Sequence, residues 1–99
     1  MAATAARILV IEDNDALRVM LFTVLRHQPL AVDTASSADE AMDRVRSCDY
    51  ALILLDLNLP RINGLEVLKR IKADSRTRGI PVAVLSGSDR EGLGSCRRG

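Results

Sequence analysis

The feature that most constrains this chain is a repeated unit: a short apolar run ending abruptly in polar residues, then an amphipathic segment of helical period. Arg7 to Ile11 reads Arg-Ile-Leu-Val-Ile and stops at Glu12-Asp13-Asn14-Asp15. Such a run, β-branched and apolar throughout, fits a strand covered on both faces. Leu17, Met20, Leu21, Val24 and Leu25 then recur at helical spacing, and all five are expected to face the core. Asn14 or Asp15 suits the N-cap, and acidic residues suit the positive end of the helix. Pro29 ends the helix near His27-Gln28.

The unit repeats. Leu30 to Thr34 reads as a second, weaker strand. Ser37 and Glu40 form a capping box for a helix that turns Ala38, Ala41, Met42 and Val45 inward. Tyr50 to Leu55 is the third and most apolar strand, expected to be the most central. Gly64 opens a third helix with Leu65, Val67, Leu68 and Ile71 inward, and residues 73–79 form a charged loop. Pro81 to Leu85 is the fourth strand, followed by Ser86-Gly87-Ser88-Asp89. Beyond Glu91 neither period survives, and Gly92, Gly94 and Gly99 punctuate an irregular tail. The division expected is a lead-in over residues 1–6, a folded unit over 7–91 and a tail over 92–99.

Strands alternating with helices imply right-handed βαβ units around a parallel sheet. A chain of 99 residues that is 47% apolar can bury one such core. Its formal charge of +1 gives no global drive toward nucleic acid or a membrane surface. The lone Phe22 and Tyr50 are too few for a base-stacking platform. No apolar run approaches the ~20 residues of a membrane span, and residues 1–7 do not read as a signal peptide. Cys48 and Cys96 fit a reducing, cytoplasmic setting better than a disulfide scaffold.

The run Ala51-Leu52-Ile53-Leu54-Leu55-Asp56 drives five apolar residues into one carboxylate. A charge there is costly unless it meets water, a metal or a partner. In open parallel sheets ligands sit beyond the carboxyl ends of the strands. If strands one and three are neighbours, Glu12, Asp13, Asp56 and Ser86 converge at one edge. Three clustered carboxylates repel, and a divalent cation relieves them. Carboxylate oxygens favour Mg²⁺, which attracts phosphate oxygens. Asp56 is then placed to attack phosphorus, and the Ser86 hydroxyl to donate to a phosphoryl oxygen.

Three separated motifs carry a family resemblance: Ile8-Leu9-Val10-Ile11-Glu12-Asp13-Asn14; Leu54-Leu55-Asp56-Leu57-Asn58-Leu59-Pro60 through Asn63-Gly64; and Pro81-Val82-Ala83-Val84-Leu85-Ser86-Gly87. The chain resembles a response-regulator receiver domain of two-component signalling. The resemblance implies a flavodoxin-like (CheY-like) α/β fold of three layers, with strand order 2-1-3-4 and the family's fifth strand and last helix missing. It implies that Asp56 is the phospho-acceptor and Ser86 the switch hydroxyl. It implies Mg²⁺ held by Asp13 directly, Glu12 through water, Asp56, and the backbone carbonyl of Asn58. The implied partners are a sensor histidine kinase or phosphotransfer protein and a downstream output protein, with no direct nucleic acid or membrane contact. The only catalysis implied is the domain's own phosphorylation and dephosphorylation.

The chain departs from the family pattern after Ser86, where no lysine follows. The family's fifth strand ends in one that reads out the phosphoryl group, and Lys69 and Lys72 fall on the third helix. The end therefore reads as truncated or frame-shifted, with strand four left as a bare edge. The expectation is either a weak monomer or a chain that dimerises through that edge or exchanges elements. Two other functions compete with a phospho-accepting module. One is a pseudo-receiver used only for docking or dimerisation. The other is an aspartate-nucleophile phosphatase, which needs a second Asp where this chain has Asn58.

Overall fold

The computed structural model describes residues 6–56 and 63–85. The first unit is strand β1 (Ala6–Ile11) and helix α1 (Asp15–Leu25). It is followed by β2 (Leu30–Ala35), α2 (Ala38–Ser47), β3 (Leu52–Asp56), α3 (Gly64–Ala73) and β4 (Val82–Leu85). The four strands form one parallel sheet in the order β2-β1-β3-β4, the order the resemblance implied. Asn58 and Ser86 lie outside the described residues, as do the lead-in before Ala6 and the tail.

Register separates the two faces of the sheet. Ile8 pairs with Leu52 and Val10 with Leu54, so these four share one face. Leu9, Ile11, Ile53 and Leu55 share the other. Right-handed crossovers place α1 on the first face, and α2 and α3 on the second. The main core lies on the second face, where Met42 and Val45 of α2 and Val67 and Ile71 of α3 meet Leu9, Ile11, Ile53 and Leu55. The inward stripe expected for α2 is present, with Ala41, Met42 and Val45 buried and Ala38 packed against them.

The helix caps follow local chemistry. Asn14 caps α1, its Oδ1 accepting from the Leu17 N–H at 2.8 Å. Ser37 caps α2 through the Glu40 N–H at 3.1 Å. The reciprocal half of the expected box is displaced by one residue: Glu40 Oε1 accepts from the Ser36 N–H at 2.8 Å and the Ser36 hydroxyl at 3.0 Å. Asn63 caps α3 through the Glu66 N–H. The charged loop after α3 is anchored rather than simply solvated: buried Thr77 donates its hydroxyl to the Ile71 carbonyl at 2.7 Å. Lys72 Nζ reaches the carbonyls of Arg78 and Ile80.

Three expectations need correction. In α1, Met20 and Val24 are 51% and 57% exposed, and no residue of the helix is fully buried. The half-buried side instead runs through Leu17, Arg18, Leu21, Phe22 and Leu25. Among the described elements α1 packs mainly on β1 and β2, and Met20 and Val24 lie on the part of its apolar stripe left exposed. In α3, Leu65 is exposed while Val67 and Ile71 carry the packing. Finally, β3 starts at Leu52 and runs through Asp56, which pairs in register with Leu85. Tyr50 precedes the strand, buried in the core with its hydroxyl bonded to Asp33.

Candidate functional site

The site is built at the carboxyl ends of β1 and β3. Ile11 pairs with Leu55, so the next position along the two strands sets Glu12 beside Asp56. The Glu12 N–H continues the ladder on the other side, donating to the Ala35 carbonyl of β2 at 3.0 Å. Glu12 and Asp13 are 3% and 2% exposed, whereas Asp56, the last residue of β3, is half-buried. Two consecutive acidic residues at that depth are unusual, because buried carboxylates lose hydration.

The electrostatics register that conflict. Burial pushes the Glu12 carboxyl above its ordinary range, and the charges of Asp56 and Asp13 push the same way. The Asn14 N–H, which donates to Glu12 Oε2 at 3.1 Å, and the Arg18 charge oppose the rise. The donor set consists of hard carboxylate oxygens, and the excess negative charge is what a divalent cation relieves. In charge and donor type, the residues present fit Mg²⁺. Among the described residues no group of three His, Cys, Asp or Glu side chains stands close enough to hold an ion unaided. Of the residues expected at the site, the structure thus brings Glu12, Asp13 and Asp56 to one edge.

Arg18 was not among the site residues legible in the sequence. It rises from the first turns of α1 and donates from Nη1 to the Glu12 carbonyl at 3.1 Å. Its Nη2 pairs with Asp15 at 2.6 Å. A sequence signal for it existed. A cation near a helix N-terminus opposes the helix dipole and needs a local partner to hold it there.

An open parallel sheet with its acidic cluster at the carboxyl edge, between the β1 and β3 ends, defines a flavodoxin-like α/β module. The chain belongs to the response regulator receiver domain family, whose model matches residues 8–94. It is 38% identical over 80 residues to the DNA-binding response regulator MtrA of Mycolicibacterium smegmatis, covering 81% of this chain and 34% of that protein. A sensor protein from Polaromonas sp. JS666 superposes with a TM-score of 0.80 at 34% identity, over 90% of this chain and 71% of that one. The response regulator TrrA of Thermotoga maritima, solved in complex with Mg²⁺-BeF, superposes with a TM-score of 0.74 at 31% identity, over 92% and 79%. The chain spans about a third of the length of the curated relatives it matches. MtrA is named as DNA-binding, which conflicts with the expectation of no direct nucleic acid contact. Among the described residues, no helix is long and apolar enough to cross a membrane.

Proposed function

We propose that this chain is a phospho-accepting receiver module of a two-component system, with Asp56 as acceptor. The observation that carries the reading is the register of β1 and β3, which sets Asp56 at the end of its strand beside buried Glu12 and Asp13. A carboxylate oxygen of Asp56 attacks the phosphorus of a phosphohistidine, on a sensor kinase or phosphotransfer protein, or of a small acyl phosphate. The bond from phosphorus to the donor breaks, the donor leaves with its electron pair, and an aspartyl phosphate remains. Asp13 would bind Mg²⁺ directly and Glu12 through water, with Asp56 and the Asn58 carbonyl completing the set. When bound, the ion neutralises charge on the transferring phosphoryl oxygens. Ser86 would donate its hydroxyl to one of those oxygens.

Residues 7–91 form the receiver unit in this reading, and the setting is cytoplasmic. Its output acts through a downstream protein, or through a DNA-binding portion of the kind MtrA's name records. We place a self-association surface at β4, the outer strand of the described sheet, where Val84 and Leu85 are exposed. No outside substrate is turned over, since Asn58 stands where a phosphatase of related chemistry needs a second acid.

Incubation of the purified chain with acetyl phosphate and Mg²⁺, followed by intact-mass measurement, tests the assignment. A single phosphate adduct that disappears in Asp56→Asn and on chelation of Mg²⁺ is expected. No adduct at saturating donor would leave a docking module without phosphorylation, and steady phosphomonoester hydrolysis would point to a phosphatase.

A further inference from the structure

We propose that Arg18 is a positioning residue for the acidic pair. Its guanidinium locks the Glu12 carbonyl to α1 and thereby fixes how Glu12 and Asp13 leave β1. The inference rests on the Mg²⁺ reading of the site and adds a residue that reading does not contain.

The Glu12 peptide units are held from two directions. On one side its N–H is committed to the Ala35 carbonyl of β2 at 3.0 Å. On the other its carbonyl accepts from Arg18 Nη1 at 3.1 Å. Fixing the plane of the Glu12–Asp13 peptide at its oxygen removes one of the two soft rotations that set where the Asp13 side chain departs. The rest of the turn is closed in the same way. Glu12 Oε2 accepts from the Asn14 N–H, Asn14 Oδ1 from the Leu17 N–H, and the Asn14 carbonyl from the Arg18 N–H at 2.9 Å. Asp15 occupies the other end of the guanidinium, and the Arg18 side chain is only 20% exposed. Arg18 is thus part of a closed bracket between the end of β1 and the start of α1.

Charge and geometry make opposite demands, which gives the proposal a sign. As a cation beside an acidic cluster, Arg18 repels an incoming Mg²⁺. If its charge were all that mattered, its removal would tighten metal binding. If it positions the pair, removal loosens binding despite the more negative site.

The test is calorimetric titration of MgCl₂ into the full chain as wild type, Arg18→Ala, Arg18→Gln, Arg18→Lys and Asp13→Asn, with amide exchange of the metal-free proteins in parallel. Arg18→Ala is expected to weaken Mg²⁺ binding about tenfold, the low end for groups that orient a metal ligand. It should also speed exchange of the Asn14 amide. Arg18→Lys, which retains a donor that can span to the Glu12 carbonyl, should recover part of the affinity. Should Arg18→Ala not fold, Arg18→Gln carries the same comparison, since it removes the charge and shortens the reach. Binding as tight as wild type or tighter in the variants, with Asp13→Asn still losing the metal, overturns the role of Arg18 and leaves the site standing. A wild-type chain that takes up no Mg²⁺ overturns both.

Discussion

The Tyr50 hydroxyl donates to Asp33 Oδ2 at 2.6 Å, and Arg7 Nη1 holds the same oxygen at 3.0 Å. Three consecutive units of the sheet are joined by this one carboxylate. Arg7 lies on β1, Asp33 on β2 and Tyr50 just ahead of β3. It sits toward the amino end of the strands, away from the acidic edge at their carboxyl ends. The chain has one tyrosine, so the latch can be followed without interference.

Alkaline titration should expose this latch. Burial, then the bond and charge of Asp33, push the Tyr50 phenol well above its ordinary value. Above about pH 10 the unfolded phenol releases its proton. The folded one keeps it, so the folded state binds more protons and stability falls as pH rises through that range. Tyr50→Phe should cost about 1.5–3 kcal/mol at neutral pH, the scale of a hydrogen bond to a charged acceptor. It should also flatten the alkaline loss. Urea midpoints of the two proteins between neutral and alkaline pH would check this. A constant difference across that range is the opposing result.

Acid acts on the same latch from the other side. Burial alone would raise the Asp33 carboxyl, but Tyr50 and Arg7 bond it and hold it below the ordinary carboxylate range. A lowered folded value means the stabilisation is fully present above the unfolded value of about 3.9. It is lost as pH falls through the folded one. Asp33→Asn should therefore be less stable than wild type at neutral pH, with the gap closing in strong acid. Acid-unfolding curves followed by far-ultraviolet circular dichroism supply the comparison.

Substitutions on the helices should separate the faces that pack from those that do not. Ile71 is wholly buried against the sheet, and Ile71→Val should cost about 0.5–1.5 kcal/mol. Met20 has the apolar character of a core residue yet stands exposed on α1, so Met20→Lys should change stability by no more than about 0.5 kcal/mol. Both are read from urea denaturation. A large loss from Met20→Lys would mean that its flank is covered in solution.

The alternation of strand and helix and the acidic residues at the strand ends were legible in the sequence because they rest on contrasts that survive at the level of residue type, whereas the strand order came only with the family resemblance. Apolar runs end in Glu12-Asp13 and in Asp56, and each is followed by a capped helical period. The α1 face was misread because Leu17, Leu21 and Leu25 share their spacing with Met20 and Val24. Which part of so broad a stripe is buried depends on what stands opposite, and among the described elements that is mainly β1 and β2. The Tyr50 latch was hidden for a different reason. A tyrosine before an apolar run reads as part of the strand, and its bond to Asp33 spans 17 positions. Arg18 was visible as a charge, but its acceptor is a backbone carbonyl, and sequence carries no trace of where a carbonyl points.

The β4 edge leads to a prediction about assembly. Val82 packs against the α2–α3 core, while Val84 and Leu85 are 42% and 43% exposed on opposite sides of the outer strand. An outer strand with apolar groups on both faces is a template for pairing. In a two-fold dimer each residue is used twice, so a change at one position counts double. Burying a valine stabilises by roughly 1.5 kcal/mol. Losing two therefore raises the dimer dissociation constant about a hundredfold. Val84→Lys should accordingly shift sedimentation of the chain toward monomer across a concentration series. A wild-type chain that stays monomeric at the highest concentration, or a Val84→Lys chain that associates as strongly as wild type, would remove β4 as the pairing edge.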